Sequence, residues 1–389
     1  MQDKFKAVER YLNKATYERD DLVECIVLAI LTRHHALVLG PPGTAKSQTE
    51  RLAIECFEGQ IFANQLHLMS SLEDNFGPMD MKAFETEGDW LRKIDGYLPT
   101  ADFAILEELD KAGPAVYSTL LTALNERKYK HGDDEIDIPL NTVMANMNAM
   151  MDDPTGATFD RYQYRCVVDY LQSPSHFLAL MMHDPDDVER PDVITMDELH
   201  NAQSQVKAVT VPMDIATKLQ QIREHLRAEG LTVSDRRFRW SVSALQAAAW
   251  LDGRTEVVQD DLVVLRHTLW LAPENRELVD TAIATYSNPL SKQLHEISQA
   301  VDAISNELTT EREDVSEQTR WSITANRALT TNYKELQNME GRVSGRIEER
   351  RLNLLDRIPD LATQVLLKNG VFDNEESARM AALQNLGAS

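Results

Sequence analysis

Cysteine is scarce in this 389-residue chain. There are three, Cys25, Cys56 and Cys166, far apart and without metal-ligand spacing. A disulfide scaffold and a cysteine-based zinc site are therefore excluded, and the expectation is reduced, mostly buried thiols of an intracellular protein. Glycine and proline are also few, at 15 and 14. That excludes collagen-like or low-complexity structure and leaves room for long helices. No apolar run approaches the roughly 18 residues of a membrane span. The opening MQDKFKAVER contains acids and no apolar stretch, so it does not read as a secretion signal. The expectation is a cytoplasmic protein without membrane insertion. Positive charge is short as well: 40 Lys and Arg face 63 Asp and Glu, a net charge of −23. Such a surface repels nucleic acids and anionic membranes at long range, so a nucleic-acid motor is disfavoured unless a pore is locally basic.

What is present points to two or three structural units. Residues 1–35 read as helical, with Leu22, Ile26, Ala29 and Ile30 at helical spacing. The run Ala36–Leu39, ended by Gly40, reads as a buried strand entering a glycine-rich turn, followed by a helix over 46–57. A second strand over 102–106 ends in Glu107-Glu108, with a helix from about Pro114 to Arg127, and a third over 141–145 ends at Asn146. Strands alternating with helices imply an α/β core with a parallel sheet covered on both faces. Ligands in such folds lie at the carboxyl ends of strands, which brings Gly40, Glu107 and Asn146 to one crevice.

The core is expected over 1–176. Residues 177–210 are polar, contain Pro185 and Pro191, and read as a linker. Three helical patterns within 211–288 indicate an all-helical second domain. Residues 289–358 carry heptads: positions seven apart from Leu294 to Val343 are apolar at seven of eight places, and the companion positions from Ile297 at four of eight. One continuous helix from Leu294 to Val343 would span about 75 Å. It could not bury itself, so it must fold back as a hairpin, cross to a neighbouring subunit as a coiled coil, or bind a partner. Pro359 is expected to end this region, with 359–389 as a short helical tail.

Residues 40–47, Gly40-Pro41-Pro42-Gly43-Thr44-Ala45-Lys46-Ser47, match G-x-x-x-x-G-K-[ST] between a strand and a helix. Inward-pointing amides and the helix terminus cradle phosphate, Lys46 reaches the β- and γ-phosphates, and the Ser47 hydroxyl coordinates Mg²⁺. ATP and Mg²⁺ are thus the expected ligands. Glu107 fits the magnesium shell and Glu108 the attacking water, since phosphoryl transfer is chiefly positioning and charge stabilisation. Asn146, with Asn148 as a rival by register, is placed to meet the γ-phosphate or the water. Arg161 and Arg236 on their own read as surface charges.

Together these motifs resemble the AAA+ ATPases, and within them the MoxR family, most closely its RavA branch. The resemblance runs through Tyr17-Glu18-Arg19, the phosphate loop, Phe76-Gly77-Pro78, Gly96-Tyr97-Leu98-Pro99 and Lys111-Ala112-Gly113-Pro114-Ala115. It continues through Thr119–Arg127 and Val233-Ser234-Asp235-Arg236-Arg237, and covers roughly residues 8–285. It implies an AAA+ αβα core, a helical lid and a homo-hexameric ring that remodels proteins with partners carrying a von Willebrand A (vWA) domain, or other protein clients. It further implies that Asn146 is the first sensor, Arg161 the finger reaching a neighbour's nucleotide, Arg236 the second sensor, and Tyr17 part of the adenine side. Two departures bear on hydrolysis. Glu107 stands where the family has Asp, and the acid that usually follows the sensor Asn is missing from Asn146–Met151. A slow or inactive ATP-binding scaffold is therefore the alternative to a remodelling ATPase. The heptad region lies outside the resemblance.

Overall fold

The computed structural model describes all residues except 151–156, 183, 185–186, 309–314, 344, 371, 373 and 388–389. The chain divides into two units, Met1–Leu171 with His183–Val279, and Gln172–Met182 with Asp280–Ser389.

The first unit opens with α1 (Gln2–Ala15) and α2 (Asp20–Thr32), then β1 (His35–Leu39), α3 (Lys46–Ile54) and β2 (Ile61–Gln65). Two short helices, α4 (Leu72–Phe76) and α5 (Met81–Glu87), precede β3 (Phe103–Glu107) and α6 (Pro114–Glu126). The hairpin β4 (Lys128–His131) and β5 (Asp134–Asp137), β6 (Thr142–Met147), α7 (Ala157–Asp160) and β7 (Tyr162–Val167) follow. After α8 (Pro174–Met182), which clusters with the second unit, come α9 (Met196–Ala208), α10 (Met213–Ala228), α11 (Asp235–Leu251), a 3₁₀ stretch over Gln259–His267, and α12 (Arg276–Tyr286).

The main sheet is parallel, with order β2-β3-β6-β1-β7. β1 lies between β6 and β7, and all five of its residues are buried, as a strand covered on both faces requires. α2 explains why it stays so: Leu22, Val23 and every residue from Cys25 to Leu31 are buried, which makes this helix an interior one. The strands over 35–39, 103–107 and 142–147 lie where the apolar runs place them. β2 and β7 carry no such run. β7 reads Tyr-Gln-Tyr-Arg-Cys-Val, yet Gln163 and Arg165 are fully buried, with the Gln163 Nε2 and the Arg165 guanidinium met by neighbouring carbonyls and a hydroxyl.

The stretch expected as a linker, 177–210, contains α9. Its N-terminus is a capping box, Thr195 with Glu198, and Leu199, Ala202, Gln203 and Val206 are buried at helical spacing. α9 packs on α2 and α11, so the helical segment after 211 joins the same unit as the sheet. Two buried arginines strengthen that junction. Arg237 donates to the carbonyls of Tyr162 and Gln163 in β7, at 2.9 and 2.7 Å, and to Thr268 at 2.7 Å. Arg165 donates to the carbonyls of Phe159 and Trp270, with its guanidinium 3.7 Å from the Phe159 ring centre. Burial pulls Arg237 down to about 9, which leaves it a cation at neutral pH.

In the second unit, α13 (Pro289–Leu308), α14 (Val315–Asn338), α15 (Gly345–Lys368) and α16 (Glu375–Leu386) pack on one another within the chain. The heptad residues Leu294, Val301, Leu329 and Leu336 are buried, as are Ile297, Ala325 and Met339 of the companion series, so the heptads serve an intrachain cluster. Pro359 does not end a region. It lies inside α15, where Ile358, Leu361, Ala362 and Val365 around it are buried. Burying such side chains contributes about 1.5–3 kcal/mol each, enough to offset the roughly 3 kcal/mol that an interior proline costs. In the same unit, Asp360 accepts from the Ser173 and Ser175 hydroxyls at 2.7 and 2.5 Å, which anchors the start of α8. Among the described residues no helix is long and apolar enough to cross a membrane.

His35, at the head of β1, is fixed as the neutral imidazole. Its Nε2 donates to the Leu124 carbonyl at 2.9 Å, and its Nδ1 accepts from the Val143 N–H at 3.0 Å. Burial depresses it to about 3. Because the folded value lies below the unfolded value of about 6.5, its contribution is complete above about pH 6.5 and is lost as pH falls toward about 3. We expect His35→Asn to lose about 1–3 kcal/mol at neutral pH and to show a shallower acid dependence between about pH 6.5 and 4, read by chemical denaturation.

Candidate nucleotide site

The loop between β1 and α3 leaves the sheet under tight constraint. Gly40 donates to the Met147 carbonyl of β6 at 3.1 Å, and Val168 donates to Leu39 at 2.7 Å. A Cβ on Gly40 would stand 2.1 Å from the Val168 carbonyl oxygen, so only glycine fits. Gly43 and Ala45 take left-handed backbone, with φ of 78° and 60°. Such turns point successive N–H groups into an anion-binding concavity, here ahead of α3. Thr44 closes the loop with a hydroxyl bond to Pro41 O at 2.9 Å. Arg19 braces it from outside: buried, it donates to the carbonyls of Thr44 and Asp169, both at 2.9 Å. Tyr17, half-buried, precedes it in the turn between α1 and α2.

Lys46 is buried. Its ammonium donates to the carbonyls of Gly40 and Pro41 at 2.6 and 2.8 Å, and to Asn148 Oδ1 at 3.3 Å. Burial lowers its pKa, and Glu50, Asp110 and Glu107 counter that. Asn146, at the end of β6, is the hub of the opposite side. Its Nδ2 donates to Ser47 Oγ at 3.2 Å and to Glu50 Oε2 at 3.1 Å, while its Oδ1 accepts a long bond, 3.4 Å, from the Glu108 N–H. Glu107 ends β3 with Oε1 3.5 Å from Arg51. Glu108 has left-handed backbone, φ 55°, which turns the chain sharply off the strand. Its carboxylate meets Lys111 at 2.6 Å. The Lys111 hydrogen bond first, and the Gln65 side chain to a lesser degree, hold its pKa below the usual carboxylate range.

Glu50 is the unexpected member. It is fully buried on α3, and burial pushes it up to about 7, with the Asn146 bond acting in the opposite direction. A glutamate on a helix reads as a solvated charge in the sequence, so no pattern signals it. Arg19 had a signal, the Tyr17-Glu18-Arg19 motif, but its role emerges only from the contacts.

The structure thus gathers Lys46, Ser47, Glu107, Glu108 and Asn146. Arg161 and Arg236 form a second group around Asp160, with Arg236 3.4 Å from the Asp160 carboxylate. Burial and then the Arg236 charge lower Arg161. The phosphate-loop amides and Lys46 suit a polyphosphate, and the oxygen donors Ser47 and Glu107 are of the kind a magnesium ion takes.

A family model described as the MoxR domain of the MoxR-vWA-beta-propeller ternary systems matches residues 3–208, and a model of the AAA lid domain matches 214–283. The chain belongs to the MoxR family of AAA+ ATPases. It is 30% identical over 303 residues to one uncharacterized protein of Methanocaldococcus jannaschii and 29% over 306 to another. Those matches cover 77% and 78% of this chain and 80% of each relative. A structural protein of Acidianus two-tailed virus is 29% identical over 160 residues, 26% of its own length. A solved structure from Cytophaga hutchinsonii, described as a candidate ATPase, superposes with a TM-score of 0.60 at 18% identity, over 74% of this chain and 95% of that one. That last likeness supports the fold alone. The parallel five-stranded sheet and the helical segment after it are accordingly the MoxR core and its AAA lid.

For this MoxR-family loop the close approach at Gly40 gives a direct test. Gly40→Ala forces backbone against backbone at Val168, so nucleotide affinity should fall by at least about tenfold together with a lower melting temperature. Fluorescent-nucleotide titration and thermal unfolding read the two effects.

Proposed function

We propose that this MoxR-family chain binds ATP with magnesium in the Gly40–Ser47 loop and hydrolyses it at the subunit boundaries of a homo-hexameric ring. The ring uses the cycle to remodel or assemble partner proteins, with a vWA-domain protein as the foremost partner. The observation that carries the reading is Asn146, whose one amide group joins Ser47 of the phosphate loop to the Glu108 backbone. The family description, which places such domains in MoxR-vWA-beta-propeller systems, supports the partner. The acidic composition fits a cytoplasmic setting.

In this reading Lys46 and the loop amides hold the phosphates, and Ser47 and Glu107 hold the cation. Magnesium, when bound, neutralises charge developing on the phosphate oxygens. Glu108 orients the attacking water once it leaves Lys111, and Asn146 positions the terminal phosphate. Tyr17 stands on the adenine side. Arg236 serves its own subunit, and Arg161 the adjoining one, where a supplied arginine lowers the barrier strongly.

A second reading, an ATP-binding scaffold with slow turnover, has support in the Glu108–Lys111 ion pair and in Glu107 where the family has Asp. Steady-state hydrolysis with Mg²⁺ separates the two. We expect turnover that rises with protein concentration as rings form. Glu108→Gln should lower it by about 10²-fold or more, and Arg161→Ala by about 10³-fold, with ADP affinity nearly unchanged. Negligible wild-type turnover with tight ATP binding would favour the scaffold. Normal turnover in Arg161→Ala would remove the finger assignment.

A further inference from the structure

We propose that Glu50 is a positioning residue through which the site distinguishes triphosphate from diphosphate: it anchors Asn146 so that the amide keeps its orientation when Ser47 turns away. The proposal rests on the nucleotide site described above.

The hydrogen bonds fix the amide without ambiguity. One end faces the Glu108 N–H, a donor, so that end is Oδ1. The other end faces the Glu50 carboxyl oxygen and the Ser47 hydroxyl, so it is Nδ2. The two N–H bonds of that group are thereby divided between Ser47 and Glu50. They differ in permanence. A serine at this place in a phosphate loop directs its oxygen to a cation when nucleotide binds, and then frees one N–H of Asn146 for a phosphate oxygen. The other N–H remains with Glu50, which lies one helical turn after Lys46 and Ser47 on the same face of α3.

Burial argues that Glu50 is retained for this bond. The residue is completely buried, and its Oε1 has no hydrogen-bond partner among the described residues. A carboxyl group in that position is costly, and an apolar side chain of the same volume would fill the space without the penalty. The bond to Asn146 is the one hydrogen bond that its Oε2 makes among the described residues, and the acid's other service is its charge interaction with Lys46.

The test compares two isosteric variants in the full-length chain. Glu50→Gln keeps an oxygen acceptor, whereas Glu50→Met keeps the volume and loses it. Affinities for Mg·ADP and for a non-hydrolysable Mg·ATP analogue are measured by calorimetry. We expect Glu50→Met to lower the preference for the triphosphate by about tenfold, with ADP affinity within about twofold, the effect of one hydrogen bond. Glu50→Gln should keep most of the preference. In an Asn146→Ala background, Glu50→Met should cause no further loss. Equal preference in Glu50→Met and wild type overturns the proposal. So does an equal fall in ADP and analogue affinity, or independent effects of the Glu50 and Asn146 substitutions. If Glu50→Met fails to fold, Glu50→Leu, which also lacks an acceptor, takes its place with the same expected and overturning outcomes, and loss of the preference in Glu50→Gln likewise overturns the proposal. A wild type that prefers the triphosphate but does not turn over removes the hydrolysis reading and leaves this one standing. A wild type without the preference removes this one.

Discussion

Everything at the nucleotide site depends on β1 being hydrogen-bonded along both edges, to β6 on one side and β7 on the other. Parallel pairing sets the carboxyl ends of three strands side by side. The loop after Leu39, the amide of Asn146 and the carbonyl of Val168 are then neighbours by register. The register is tight enough that Gly40 touches both flanking strands, one through a hydrogen bond and the other through a contact that excludes a methyl group. The site's precision is therefore inherited from the sheet, which is the more rigid part of such folds. Arg19 extends the same control from α2's N-terminus to the outer side of the loop.

Electrostatics inside that frame is crowded. Within the reach of one lysine lie Glu50, Asp110 and Glu107, and a second lysine holds Glu108. An accumulation of acids near buried cationic groups is typical of sites built around a highly charged ligand. The left-handed backbone at Glu108 belongs to the same economy of positions, because it turns the acid away from the axis of β3 at the point where the strand ends.

The sequence made the site far more legible than its supports. β1, β3 and β6 are visible because each is a short apolar run closed by a residue of the site: Gly40, Glu107 and Asn146. β7 is hidden because two of its buried side chains, Gln163 and Arg165, are polar, and their N–H groups are met by tertiary partners that no local pattern reveals. β2 is hidden for the opposite reason: it lies at the sheet edge with exposed Ile61, Ala63 and Gln65 among buried or half-buried neighbours. α9 had a readable signal, the Thr195-x-x-Glu198 capping box, outweighed by the prolines and acids before it. Pro359 misled because local propensity was set against burial that only the folded cluster supplies. Glu50 was beyond reach, since its meaning lies in a single long-range hydrogen bond.

The arginines that join β7 to the lid bear on how the molecule is divided. Arg237 grips two carbonyls of a core strand and one of the lid, and Arg165 reaches from that strand to Trp270. His267 meets Glu24 of α2 at 2.8 Å across the same junction. Residues 3–208 and 214–283 are two modules by descent, yet their buried cations are solvated by each other's backbone. Separating them would break the buried hydrogen bonds of both guanidinium groups across the junction. The boundary between the two family matches is therefore not a boundary between two independent cores.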